Sequence, residues 1–310
     1  MKIAIIGAGA MGSLFGGQIG QVTDVCLYDV NKEHIEAIQR NGLLMTQGEK
    51  KKYVKVRATT NPEEIGLADV AMIFTKYLYT GSAMQDAMPC IGPDTLVLTL
   101  QNGIGNVEII KEFVPENQIA YGLTAQTSDI KGPGHLEMTT RQSVGTYFWP
   151  LNGVVTEKMK ELERIMNQAG LETEITPDVD LKIWRKLMIN TSQNTLCALL
   201  RVRVGQLMAT PSSYEIVKQI VFEVSDVARA KGINISREEG LKYVESVTES
   251  VKEHVPSMAI DVMNKRKTEI ACLNEAVVAE GKRLGVATPM LEMVARMIRT
   301  LEANYDNLVY

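Results

Sequence analysis

The stretch Lys2-Ile3-Ala4-Ile5-Ile6-Gly7-Ala8-Gly9-Ala10-Met11-Gly12 decides how the first half of the chain reads. A short β-prone run, Lys2–Ile6, ends at Gly7 and opens into a helical stretch from Met11. Gly7, Gly9 and Gly12 form GxGxxG directly after a strand and at the opening of a helix. Gly7 permits a tight turn, Gly9 lets the backbone approach a pyrophosphate, and Gly12 allows close helix–strand packing. The helix N-terminus supplies N–H donors to the anion. The bland alternative is a glycine-rich turn without a ligand; the place of the motif, inside a strand–helix–strand unit, argues against it. Gly7, Ala8, Gly9, Ala10, Met11 and Gly12 are the candidate dinucleotide-binding loop. Asp29 ends the next apolar run, where an acid hydrogen-bonds the adenosine ribose 2′-OH and repels a 2′-phosphate. Asp29 therefore favours NADH over NADPH, although Lys32 nearby partly offsets the repulsion. Asp29 can also cap the following helix.

Working outward, short apolar runs alternate with helical spacing. Val25–Asp29, Val70–Thr75, Leu96–Leu100 and Ile119–Thr124 read as buried strands, with helical connectors at Lys32–Arg40, Met84–Ala87 and Val107–Phe113. This alternation predicts an α/β fold whose N-terminal half is a doubly wound, Rossmann-type parallel sheet. Leu136–Trp149 alternates loosely between glycines, which predicts antiparallel strands closing that domain. Glu172–Ile175 predicts a short strand returning to the sheet. From residue 179 the pattern is almost entirely helical, over 179–200, 212–231, 237–252, 257–284 and 289–306. Pro211, Pro256 and Pro289 fall at helix starts. The predicted domains are a Rossmann-type dinucleotide-binding domain at 1–178 and an all-α substrate and catalytic domain at 179–310.

Composition narrows the function. The 310 residues carry 33 Lys and Arg against 37 Asp and Glu, a formal charge of −4. That gives no footprint for nucleic acid or an anionic membrane. No apolar run spans a bilayer, and the N-terminus lacks the apolar core of a signal peptide. Four scattered cysteines without CxxC, and three distant histidines, argue against a disulfide framework and a metal site. The expectation is a cytoplasmic, cofactor-using enzyme without a metal.

Beyond the glycine loop, several motifs occur in a fixed order: Thr75-Lys76; Gln101-Asn102-Gly103; Trp184-Arg185-Lys186-Leu187 followed by Asn190 and Asn194; His254-Val255-Pro256-Ser257-Met258 with Asp261; Lys267-Thr268-Glu269-Ile270; and Val286-Ala287-Thr288-Pro289. With this set the whole chain resembles the ketopantoate reductase (2-dehydropantoate 2-reductase) family. Lys186, Asn190 and Asn194 stand at i, i+4 and i+8, which puts them on one helix face. Read singly, Lys186 is a solvated helix lysine and the two asparagines are helix polar groups. Ser257 reads as an N-cap, and Glu269 as a member of an exposed charged run. Glu269 shares a face with Asp261 if the helix between them is continuous. His254, before Pro256, reads as a loop residue and not a general acid.

The resemblance implies an oxidoreductase that reduces 2-dehydropantoate to pantoate, a pantothenate and coenzyme A precursor, using NAD(P)H. It implies that Lys186 polarises the ketone oxygen and donates the proton, and that Glu269 holds Lys186 and touches the nicotinamide end. It assigns the substrate to Asn102, Asn190, Asn194 and Ser257, with Asp261 orienting its neighbours. It places Lys76, Asn102, Ser128 and Glu269 on the cofactor side. Relatives that pair as dimers make a homodimer the expectation. Asp29 departs from the family's usual NADPH pattern. That keeps open an NAD-dependent D-2-hydroxy-acid dehydrogenase of the D-mandelate type, which has the same Lys, Asn, Ser and Glu set. A nicotinamide-binding sensor needs the glycine loop but not Lys186, Glu269 and Ser257 together. A 3-hydroxyisobutyrate-type dehydrogenase needs a lysine in a different helical motif.

Overall fold

A computed structural model of the chain describes residues 1–140 and 145–308. Packing divides it into two units: Met1–Gln101 with Asn106–Val179, and Asn102–Gly105 with the chain from Asp180 onward.

The described residues of the first unit contain twelve strands: β1 (Lys2–Ile6), β2 (Asp24–Tyr28), β3 (Leu43–Gln47), β4 (Lys50–Val54), β5 (Arg57–Thr59), β6 (Val70–Ile73), β7 (Leu96–Thr99), β8 (Ile119–Thr124), β9 (Ser128–Gly132), β10 (His135–Met138), β11 (Thr146–Pro150) and β12 (Thr173–Ile175). Eight of them form one sheet in the order β12-β11-β8-β7-β6-β1-β2-β5. From β5 to β8 every pairing is parallel. β11 runs antiparallel to β8, and β12 lies parallel to β11 at the edge. The chain builds outward from β1 through β2 to β5, then returns to β6 and continues to β8. The switch point therefore lies between β1 and β6, where such sheets bind ligands beyond the strand carboxyl ends.

β1 is buried on both faces, as parallel strands are. Ile3 and Ile5 belong to one apolar core, Ala4 and Ile6 to the other. The helix Ala10–Ile19 packs between this sheet and a second, four-stranded sheet ordered β4-β3-β10-β9. Its glycines permit that double approach. A Cβ on Gly16 would stand 2.2 Å from Leu27 of β2, and one on Gly17 2.6 Å from Met45 of β3. The small sheet adds a hairpin and corrects one sequence expectation. The sequence analysis names no strand over the β3–β4 hairpin, where Lys50, Lys51 and Lys52 are all exposed. Lysines on an edge strand block further pairing. The predicted strands over Leu136–Trp149 also separate, since β10 joins the small sheet and β11 the large one.

The second unit is helical. Its long helix, Pro211–Ala230, is packed by Arg237–Ser250, Ala276–Leu284 and Pro289–Ala303. Pro211 and Pro289 begin their helices, and Ser236 with Glu239 forms a capping box at the start of Arg237–Ser250. The helix expected over 257–284 is broken. Ser257–Met263 ends in a Schellman motif: Lys265 takes a left-handed φ of 52°, its N–H bonds Val262, and the Arg266 N–H bonds the Asp261 carbonyl. A non-glycine residue holds the left-handed position, so the stop carries no glycine signal in the sequence.

The sandwiched helix yields a stability test. Phe15 is fully buried, and its ring centroid lies 4.7 Å from that of Phe74. Phe15→Ala should destabilise the first unit by about 3–5 kcal/mol, read as a lower urea midpoint.

Candidate active site

In the first unit the glycine loop leaves β1 at its carboxyl end. Gly7 has φ +96°, and a Cβ there would sit 2.8 Å from the Thr75 nitrogen. The loop thus lies against the end of β6, one residue before Lys76. A Cβ on Gly12 would fall 1.8 Å from the Gly7 carbonyl oxygen, so the helix can start only with glycine there. Gly9 differs: it is exposed, and nothing lies within 4 Å of its Cβ position. The helix it starts has no side-chain cap and no acid in its first turn. Open space beside uncapped N–H groups fits a pyrophosphate.

Asp29 follows β2 and is half-buried. Its Oδ2 accepts the Ala8 N–H at 2.7 Å, and its Oδ1 accepts the Asn31 N–H at 2.9 Å. The next helix is capped by Asn31, whose side chain accepts from the His34 N–H, and not by Asp29. Each carboxylate oxygen has a second lone pair, so Asp29 retains acceptor capacity for a ribose hydroxyl. Ser128, at the start of β9, sits with its Oγ 3.6 Å from the sulfur of Met11. Lys76 is half-buried at the start of the single turn Tyr77–Tyr79. Gln101 braces this end of the sheet through its Nε2, which donates to the Thr75 carbonyl and the Thr80 hydroxyl.

In the second unit Lys186 lies in the helix Val179–Ile189, anchored by the buried Trp184. Burial lowers the Lys186 pKa to about 8, and the Glu269 carboxylate works in the opposite direction. Beyond Ile189 the helix widens into a π-turn, Asn190–Asn194, before resuming at Thr195. The widening loosens the ladder, and a run of hydroxyls compensates. Thr191 bonds the Leu187 carbonyl at 2.8 Å, Ser192 the Met188 carbonyl at 2.6 Å, and Thr195 the Thr191 carbonyl at 2.5 Å. The same turn joins the two asparagines, with Asn194 Nδ2 donating to Asn190 Oδ1 at 3.1 Å. Such π-turns recur at functional sites.

A second π-turn, Ala271–Glu275, follows Glu269. The buried Asn274 of this turn donates to the Thr191 carbonyl of the first at 2.9 Å. Gly103 docks on it with φ +80°; a Cβ there would lie 2.2 Å from the Cys272 carbonyl oxygen. The Ile104 N–H bonds the same carbonyl at 2.9 Å. This docking brings the neighbouring Asn102 to Glu269, with Nδ2 3.4 Å from Oε2.

Asn102, Lys186 and Glu269 therefore form one cluster, and Asn190 pairs with Asn194. Ser257 is exposed at the first position of its helix, where Pro256 and not Ser257 is the N-cap. Asp261 does not share a helix face with Glu269, because the helix stops between them. It is buried, and its Oδ1 accepts from Arg266 Nε at 3.0 Å. Sequence reasoning overlooked Glu302. Its buried Oε1 accepts both the N–H and the hydroxyl of Thr268 at 2.7 Å, which fixes the residue before Glu269. It overlooked Asn274 as well. An Asn or Glu inside a long helical pattern gives no sign of either task. Among the described residues, no group of three or more His, Cys, Asp or Glu side chains is placed to hold a metal, and no helix is long and apolar enough to cross a membrane.

Comparison with known proteins agrees with this geometry. The family described as ketopantoate reductase PanE/ApbA matches residues 3–150, and its C-terminal part matches residues 178–302. A 2-dehydropantoate 2-reductase of Streptococcus pyogenes is 35% identical over 306 residues, covering 98% of each chain. Among solved structures, a D-mandelate dehydrogenase in a ternary complex with NADH and anilino(oxo)acetate is similar at a TM-score of 0.92 and 32% identity, covering 99% of each chain. A PanE/ApbA family ketopantoate reductase from Ralstonia eutropha is similar at a TM-score of 0.89 and 27% identity, covering 99% of this chain and 100% of the other. With the glycine loop, the half-buried lysine and the full length of the match in agreement, the chain belongs to the ketopantoate reductase family of oxidoreductases.

Proposed function

We propose that the chain reduces 2-dehydropantoate to pantoate with NADH in preference to NADPH, in the cytoplasm and as a homodimer. Residues 1–178 supply the cofactor half and 179–310 the catalytic half. The observation that carries this reading is Lys186, a lysine whose burial brings its pKa to about 8 beside Glu269. A general acid is most effective with a pKa near the working pH. Relatives 30–35% identical over nearly their full length are 2-dehydropantoate 2-reductases.

A bound nicotinamide would supply the hydride. Reduction puts negative charge on the ketone oxygen. Lys186 stabilises that oxygen and gives it a proton from Nζ. Glu269 keeps Lys186 charged, and Asn102 bonds Glu269. Asn190 and Asn194 bind substrate oxygens, Ser257 binds the carboxylate, and Asp261 orients its neighbours through Arg266. In the cofactor half, Gly7–Gly12 would hold the pyrophosphate and Asp29 the ribose, with Lys76 and Ser128 on the cofactor side. The NADH preference rests on Asp29, whose negative charge stands against a 2′-phosphate. The four cysteines are all free and buried, in keeping with a reducing compartment. The half-exposed Met293 and Met297 on the helix Pro289–Ala303 provide an apolar face for pairing.

A second reading is an NAD-dependent D-2-hydroxy-acid dehydrogenase. It is favoured by Asp29 and by the likeness to D-mandelate dehydrogenase bound to NADH. Steady-state absorbance at 340 nm separates the two. NADH and NADPH are each assayed with 2-dehydropantoate and with benzoylformate. Turnover of 2-dehydropantoate, faster with NADH, is expected; turnover of benzoylformate alone would transfer the chain to the second reading.

Three further outcomes follow from the lysine. Lys186→Met should lower kcat by about 10²–10⁴-fold, while fluorescence titration shows NADH binding retained. Reduction needs the protonated form, so kcat/KM should fall as pH rises through about 8. Glu269 raises the Lys186 pKa. In Glu269→Gln that support is lost, and the alkaline limb of the pH profile should move to lower pH.

A further inference from the structure

The glycine loop is held from behind by a histidine that neither its motif nor the family comparison singles out. His34 is buried, in the helix Lys32–Asn41. Its Nδ1 lies 3.1 Å from the Gly134 nitrogen, and its Nε2 3.2 Å from Ser13 Oγ. A backbone N–H can only donate, so Nδ1 accepts and the ring's proton sits on Nε2. Nε2–H then donates to Ser13 Oγ. The Ser13 hydroxyl in turn donates to the Ala8 carbonyl at 2.7 Å. The relay has one direction throughout: Gly134 N–H to imidazole, imidazole N–H to hydroxyl, hydroxyl to carbonyl.

The last bond matters for the loop. In a trans peptide the C=O and the following N–H point in opposite directions. With the Ala8 carbonyl turned inward to Ser13, the Gly9 N–H is turned away from it, at the exposed residue whose surroundings are open. The preceding peptide is fixed by the Ala8 N–H bond to Asp29. Both peptides around Ala8 are thus set before any ligand arrives. Burial, which lowers the His34 pKa, keeps the ring in the neutral form the relay requires, and Asp29 opposes this.

We propose that His34, as its Nε2–H tautomer, is a positioning residue for the cofactor loop, acting through Ser13 on the Ala8–Gly9 peptide. The inference rests on the proposed nicotinamide-cofactor reading. The test measures NADH dissociation constants by fluorescence, and kcat at saturating NADH, for Ser13→Ala, His34→Asn, His34→Gln and the double variant Ser13→Ala/His34→Asn. Asn keeps an acceptor near the Nδ1 position but cannot reach Ser13; Gln places an N–H near the Nε2 position. Losing one such bond is worth about fivefold in binding. Ser13→Ala and His34→Asn should each raise the dissociation constant by about that factor with kcat little changed. His34→Gln should bind close to the parent, and the double variant should be no weaker than either single. Unchanged affinity in Ser13→Ala, or additive losses in the double variant, would overturn the inference. If His34→Asn does not fold, Ser13→Ala against His34→Gln decides. A parent protein that binds neither NADH nor NADPH would instead sink the cofactor reading, and this inference with it.

Discussion

A lysine drawn partly out of water is the constraint around which the second unit is organised. Removing an ammonium from solvent disfavours its charged form, and the proposed reaction needs that charge for part of each cycle. Glu269 returns part of the lost stabilisation, so its position matters as much as its presence. It is fixed from two sides. Glu302 grips Thr268 immediately before it, and Asn102 reaches its Oε2 from the turn that Gly103 docks on Cys272. The two π-turns serve the same end. One follows Lys186 and the other Glu269, and Asn274 ties one to the other through the Thr191 carbonyl.

The first unit meets the opposite problem. A glycine-rich loop is cheap to bring near a ligand and costly to order, because glycine loses more backbone freedom than any other residue. Here the order comes from outside the glycines. Asp29 takes the Ala8 N–H, Tyr28 takes the Gly7 N–H, and Ser13 takes the Ala8 carbonyl. The loop is supported by groups on β2 and the first helix, so its own residues stay small and its outer side stays open.

Much of this is legible in the sequence, and for identifiable reasons. Buried parallel strands are continuous apolar runs, so β1, β2, β6, β7 and β8 announce themselves. GxGxxG after β1 carries its own geometry. The i, i+4, i+8 spacing of Lys186, Asn190 and Asn194 correctly puts the two asparagines together, although the π-turn that closes their contact has no spacing signature. What stays hidden depends on tertiary partners. β4 is an edge strand disguised by lysines. The helix stop at Lys265 uses a left-handed residue with a full side chain. Glu302 acts across 34 residues of chain and Asn274 across 83, and nothing local marks either as more than a helix surface residue.

Asp29 joins the two themes. Its usual reading is as a selector between ribose hydroxyl and ribose phosphate, which treats it as a charge facing the ligand. In this chain both of its oxygens are also acceptors for backbone, one from the glycine loop and one from the turn after β2. Replacing it with a basic residue would remove the repulsion and, in the same step, leave the Ala8 and Asn31 N–H groups without their acceptor. Selectivity and loop order are therefore not independent at this position. The proposed preference for NADH is coupled to the rigidity of the loop that would bind either cofactor, and a switch to NADPH would require a second acceptor for Ala8 as well as a cation.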